Sequence, residues 1–195
     1  MAMPSLAAEG RFAPAAMIAF IAEVLATCGL RDADARRVGT LMVEADLIGA
    51  GGHGIFRLPQ YVRRLRAGGT NPTPEITVSR HAPAVAIVDG DNGMGHLVMS
   101  RAAEVAVELA REAGIAWVGA RRSNHAGAGG VYACLPLEAG MIGIYTVVAS
   151  ANHMAPWGGT ESLLGTNPLA IAIPMGEAAV RAAAVETYRP GARSQ

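Results

Sequence analysis

Ile115-Ala116-Trp117-Val118-Gly119-Ala120, then Ser123-Asn124-His125-Ala126-Gly127, then the stretch from Ala128 to Ala139, form the passage from which the fold is read. The apolar run reads as a buried strand. The last stretch reads as a helix with a Gly-rich start. A histidine flanked by an amide and small residues at the end of a strand sits where α/β proteins place chemistry. His125 thus turns an alanine-rich globular sequence into one with a candidate acid/base residue.

Upstream of this passage the pattern is helical. Met17, Ile18, Ile21, Val24 and Leu25 recur at helical spacing between Pro14 and Cys28, and Gly29 is a fitting stop. Asp32 is expected to cap a second helix that buries Val38, Leu41, Met42 and Ala45. Glycines 49, 51, 52 and 54 break the pattern around His53. A third helix follows from Ile55 to Leu65, with Pro59 tolerable only near its start. The turn-rich Thr70-Asn71-Pro72-Thr73-Pro74 then leads to short strands at Ile76–Val78 and Val85–Val88, the second running into a turn at Asp89–Gly93. A strong helix from His96 to Ala113 precedes the opening passage. Beyond it come a strand at Ile142–Val148, a loop around Pro156-Trp157-Gly158-Gly159, and a strand from Leu169 to Ile173. Strands alternating with helices predict a mixed α/β sheet layer.

Composition limits the partners. Of 195 residues, 51% are hydrophobic and only 5% aromatic, so the core must be built from Ala, Val, Ile and Leu. Lysine is absent, and 16 arginines balance 16 acidic residues. Zero net charge argues against a nucleic-acid or anionic-membrane partner. Arg63, Arg64 and Arg66 read as the solvated face of one helix. Cys28 and Cys134 read as buried free thiols with neither metal spacing nor a disulfide framework. No leader or membrane-spanning run is evident, which predicts a cytoplasmic protein. No dinucleotide-binding glycine fingerprint, phosphate-binding P-loop or nucleophile elbow is found, and Gly127-Ala128-Gly129-Gly130 only approximates a phosphate turn.

Each candidate residue admits two readings. His125 is either a loop histidine satisfying a carbonyl or a general acid/base that titrates near neutral pH. Asn124 beside it can fix an orientation or donate to a substrate oxygen. His53, within Gly51-Gly52-His53-Gly54-Ile55-Phe56-Arg57, either caps a helix or joins Arg57, four residues on, in holding a carboxylate. Ser150, Asn152, His153, Pro156, Gly158, Gly159, Thr166 and Asn167 belong to loops that can offer donors to a ligand, or be ordinary turns. A zinc site from His53, His125 and His153 lacks a completing carboxylate or cysteine, so no metal is expected. His81 and His96 read as structural.

In register, Glu44-Ala45-Asp46-Leu47, His53 to Tyr61, Val88 to Gly95, Ser123-Asn124-His125, Ala155 to Gly159 and Leu164 to Pro168 resemble one family, the type-2 malate/L-lactate dehydrogenases. Its members include ureidoglycolate and sulfolactate dehydrogenases. The resemblance covers roughly residues 14 to 176. It implies an NAD(P)-dependent oxidoreductase interconverting 2-hydroxy and 2-oxo acids, usually a homodimer. The implied fold is α/β (α+β): a helical part over 1–72, then a mixed-sheet, non-Rossmann NAD(P)-binding domain over 73–177, incomplete at its C-terminus.

By resemblance His125 is the catalytic acid/base, and His53, Arg57 and Asn124 contact substrate. Ser150, Pro156, Gly158, Gly159, Thr166 and Asn167 would line NAD or NADP. Four positions depart from the pattern. Gly51 and Gly52 stand where an acidic residue and a serine are common, Ala126 replaces an aromatic, and Asn152 a proline. Residues 178–195 match none of the family's continuation and are expected to be a disordered tail. The alternative function is therefore a truncated, non-catalytic remnant or a small-acid binding fragment.

Overall fold

The computed structural model describes residues 12–148, 152, 154–175 and 178–181. Three helices open it: α1 (Pro14–Ala26), α2 (Asp32–Leu47) and α3 (Leu58–Arg66). Pro14 and Pro59 stand in the first turns of α1 and α3, where a missing N–H costs no helical bond. Asp32 is the first residue of α2, not its cap; Arg31 holds the cap position without a side-chain bond to the helix's first N–H groups. Asp32 and Asp34 instead place negative charge in the first turn, where the helix dipole favours it. Two 3-10 turns, Gly51–His53 and Ile55–Arg57, join α2 to α3, so the expected third helix begins three residues late.

The first sheet has the order β1-β2-β3, formed by β1 (Thr77–Ala82), β2 (Val85–Gly93) and β3 (Trp117–Ser123). β1 pairs antiparallel with β2, and β2 parallel with β3, across the crossover helix α4 (Gly95–Ala113). Helix α4 covers one face, packing Val98, Ala102, Val105 and Leu109 on Ala86 and Val88. The other face stays open among the described residues. β3 is therefore not the buried strand its apolar run predicts: Trp117 is 64% exposed. Nor is Asp89–Gly93 a turn; it extends β2, with Asp91 and Asn92 at positive φ and a register shift against β3.

The second sheet, β4-β5-β6, is antiparallel, so the sheets form two layers rather than one. It comprises β4 (Gly143–Thr146), β5 (Leu169–Met175) and β6 (Ala178–Arg181). Helix α5 (Gly129–Cys134), continued by a 3-10 turn at Leu135–Ala139, packs on it. The tail expected from residue 178 thus begins as a strand, with Met175 opposite Ala178 and Ala172 opposite Arg181. The outer edge of β5 supplies the N–H and C=O groups that a following extended segment can satisfy.

Helix α2 links the layers. Val38, Met42 and Val43 join the core of α1, α3, Met94 and Leu97, while Leu41 and Ala45 join that of α5, Tyr145, Ala170 and Ala172. Cys28 and Cys134, just past α1 and at the end of α5, are half-buried and form no disulfide among the described residues. Among the described residues no helix is long and apolar enough to cross a membrane.

Candidate active site

Parallel β2 and β3 end side by side, Gly93 opposite Ser123, and the loop bearing His125 starts just beyond. The carboxyl ends of parallel strands are a recurrent ligand position, because the loops there diverge. Asn124 pins this end. Its Nδ2 donates to the Asn92 carbonyl (2.8 Å), Asn92 Oδ1 (2.9 Å) and the Gly93 carbonyl (3.1 Å), while its Oδ1 accepts from Arg64 Nη2 (2.9 Å). Arg64, expected on a solvated helix face, therefore ties α3 to the loop. The start of α4 closes the loop from behind: a Cβ on Gly95 would lie 2.2 Å from the Asn124 carbonyl and 2.6 Å from the His125 carbonyl carbon. The Tyr132 hydroxyl adds a bond to the Ala126 carbonyl.

His125 meets residues from three directions. Tyr61 Oη of α3 lies 2.8 Å from its Nδ1, and the Gly127 N–H donates to the same nitrogen at 3.3 Å. The His53 ring stacks on it at 5.8 Å, nearly parallel. Because a backbone N–H can only donate, Nδ1 carries the lone pair in the neutral ring and Nε2 the hydrogen. Burial, the Arg57 charge and His53 together pull the His125 pKa down to about 4.

Arg57 is oriented locally. Its Nε donates to the Gly52 carbonyl (2.8 Å) and its Nη1 to Gln60 Oε1 (2.9 Å). Its Nη2 makes no protein hydrogen bond among the described residues, which leaves donors for a carboxylate. The turn carrying His53 and Arg57 is anchored by Asp46, whose Oδ2 accepts from the Ile55 N–H at 2.9 Å. A Cβ on Gly54 would fall 1.9 Å from Asp46 Oδ1, so only glycine lets the turn sit there.

The structure therefore brings His53, Arg57 and His125 together, with Asn124 serving as a strut. It also adds Tyr61 and, behind it, His96, neither singled out as functional from sequence. Arg57, Tyr61 and Arg64 recur at i, i+4 and i+7, the spacing of one helical face, and that was the available signal. Pro156, Gly158, Gly159, Thr166 and Asn167 lie on the loop leading into β5. Met154 closes that loop on Leu163 and Leu164, and Gly158 takes φ +74°. Ser150 and His153 lie outside the described residues.

Two histidines and an arginine thus meet at the strand ends, an arrangement able to hold a small anion. The chain matches the malate/L-lactate dehydrogenase family over residues 12–182, and it belongs to that family. The match passes 177 and takes in β6. An L-sulfolactate dehydrogenase of Methanocaldococcus jannaschii is 43% identical over 78% of this chain and 44% of its own length. A malate dehydrogenase of Pyrococcus horikoshii is 44% identical over 81% of this chain and 44% of its own. The solved structure of the latter superposes with a TM-score of 0.84 at 40% identity, covering 92% of this chain and 52% of that one. A ureidoglycolate dehydrogenase (NAD(+)) of Escherichia coli is 37% identical over 77% of this chain and 43% of its own. The chain spans about half the length of the relatives it matches.

Proposed function

We propose that this site belongs to an NAD(P)-dependent oxidoreductase that interconverts 2-hydroxy and 2-oxo acids. The observation that carries the reading is the convergence of Arg57, His53 and His125, with His125 Nε2 given no protein partner among the described residues. Arg57 binds the substrate carboxylate through its guanidinium, and His53 lines the same anionic group. In the reductive direction, protonated His125 donates from Nε2 to the substrate oxygen and is left neutral with its hydrogen on Nδ1; in the oxidative direction the bare Nε2 of that tautomer accepts the proton. Asn124 contributes by holding the loop. These groups fix the acid's two oxygen functions, and orientation is a large part of what such a reaction needs.

The Pro156–Asn167 loop fits the neutral end of a nicotinamide dinucleotide. Thr166 and Asn167 lie on it, open space lies beside Gly158, and residues 154–175 contain no arginine, lysine or histidine to meet a phosphate. When bound, NAD or NADP would supply the hydride. Ser150 is assigned to the same loop region by resemblance, and a homodimer is proposed on the same ground.

Oxidation of NADH and NADPH by the chain with pyruvate, oxaloacetate and other 2-oxo acids tests this reading. Arg57→Met is expected to raise KM about 10²-fold with a smaller effect on kcat, because it removes a carboxylate contact present in ground and transition states alike. The chain's share of its relatives' length favours one competing reading, a small-acid binding fragment. Oxamate binding without any NADH or NADPH oxidation would establish that alternative.

A further inference from the structure

We propose that Tyr61 is a positioning residue for His125, buttressed by the buried ring of His96, and that its hydroxyl holds the imidazole in one orientation in both protonation states. This deepens the acid/base reading of His125 and rests on it. The two neighbours of His125 Nδ1 are not equivalent. The Gly127 N–H, at 3.3 Å, can only donate and so serves only the neutral ring. Once the ring takes up its second proton, Nδ1 becomes a donor, stays one after Nε2 has given its proton to substrate, and needs an acceptor in both of those states. Tyr61 Oη, at 2.8 Å, can donate to the resting ring, whose Nδ1 is bare, and accept from the charged ring and from the Nδ1–H ring that transfer from Nε2 leaves. A phenol is thus the one neighbour at Nδ1 that serves through a proton-transfer cycle; burial raises the Tyr61 pKa, which keeps its hydroxyl protonated throughout.

His96 explains how the phenol is fixed. It is 1% exposed, and neither ring nitrogen finds a hydrogen-bond partner. Burying an imidazole this way is costly where an aliphatic side chain would fill the space. Its ring stands edge-on to Tyr61, centroids 5.3 Å apart at 85°, an attractive aromatic geometry. On its other side Nε2 lies 3.0 Å from where a Cβ on Gly127 would sit. His96 is therefore wedged between the two groups that bond His125 Nδ1. The titratable and charged groups around His125 are Tyr61 from α3, Arg57 and His53 from the 3-10 turns, and His96 from α4.

The test is nitrogen NMR of the full chain labelled in its histidines, at neutral pH without cofactor or substrate, on wild type, Tyr61→Phe and His96→Leu. In Tyr61→Phe the His125 Nδ1 resonance is expected to move downfield, towards an unbonded pyridine-type nitrogen. kcat for 2-oxo-acid reduction should fall about tenfold, the loss of one hydrogen bond to the charged ring, with KM nearly unchanged. The acidic pKa of its pH profile should move lower. His96→Leu should move the Nδ1 resonance the same way by less. An unchanged His125 resonance in Tyr61→Phe overturns the proposal, and an unchanged one in His96→Leu overturns the part given to His96. The spectra need no turnover, so an inactive wild type would count against the dehydrogenase reading while the resonance still decides this one.

Discussion

His125 is a base made weak by its surroundings. Burial is the largest cause of its low pKa, with the Arg57 cation next and His53 third. An anionic 2-oxo acid held by Arg57 offsets that second cause, so the folded protein binds a proton more readily with ligand present than without it. Binding of oxamate at pH 6 should accordingly take up a fraction of a proton, at most about one, and less at pH 8. Calorimetry in two buffers of different ionisation heat reads this number, and His125→Gln should abolish it. At this scale the sequence was informative where chemistry breaks a pattern. His53, Arg57 and His125 stand out because glycines, a turn and a strand end surround them. Tyr61, Arg64 and His96 did not, because each satisfies a helical periodicity that core and surface explain equally well. Only their neighbours in space, sixty and more residues away for Arg64 and Tyr61, distinguish them.

The elements hold the site by close approach. Helix α4 begins against the backbone of Asn124, His125 and Ala126, a contact that a side chain at Gly95 would forbid. Gly95→Ala should leave the helical circular-dichroism signal intact yet lower turnover about 10²-fold, since small displacements of a reacting group are expensive. On the opposite side, Gly54 rests on the Asp46 carboxylate that accepts the Ile55 N–H. Gly54→Ala should cost about 1–3 kcal/mol in urea unfolding through overpacking. Combined with Asp46→Ala it should cost less than the sum of the two single changes, because the second removes what the first collides with. Helix positions followed from apolar spacing, and so did the alternation of strands and helices. The exposure of β3 did not, because an apolar run looks alike whether helices cover a sheet on one face or two. β6 escaped because Ala178-Ala179-Val180-Arg181 carries little pattern, and its pairing is set by the free edge of β5.

Over the whole molecule, α2 joins two small cores, and two histidines, the buried His96 and the more exposed His125, tie stability to pH. The pKa of His96 is pulled down to about 3 by burial first and by His125 second, and that of His125 to about 4. Unfolded histidines titrate near 6.5. The unfolded chain therefore binds more protons than the folded one below that pH, and stability falls as pH drops from about 6.5 towards 4. Above pH 7 these two groups contribute no slope. Urea midpoints at pH 5 and 7.5 should differ in wild type, and by less in His96→Leu. The most direct test of the central claim is the transfer of deuterium from NADH deuterated at C4, on either face, to C2 of lactate or malate, followed by mass spectrometry with wild type and His125→Ala. The account predicts singly deuterated 2-hydroxy acid from the wild type and a rate at least about 10²-fold lower from His125→Ala. No deuterated product from the wild type, or equal rates from the two proteins, would contradict it.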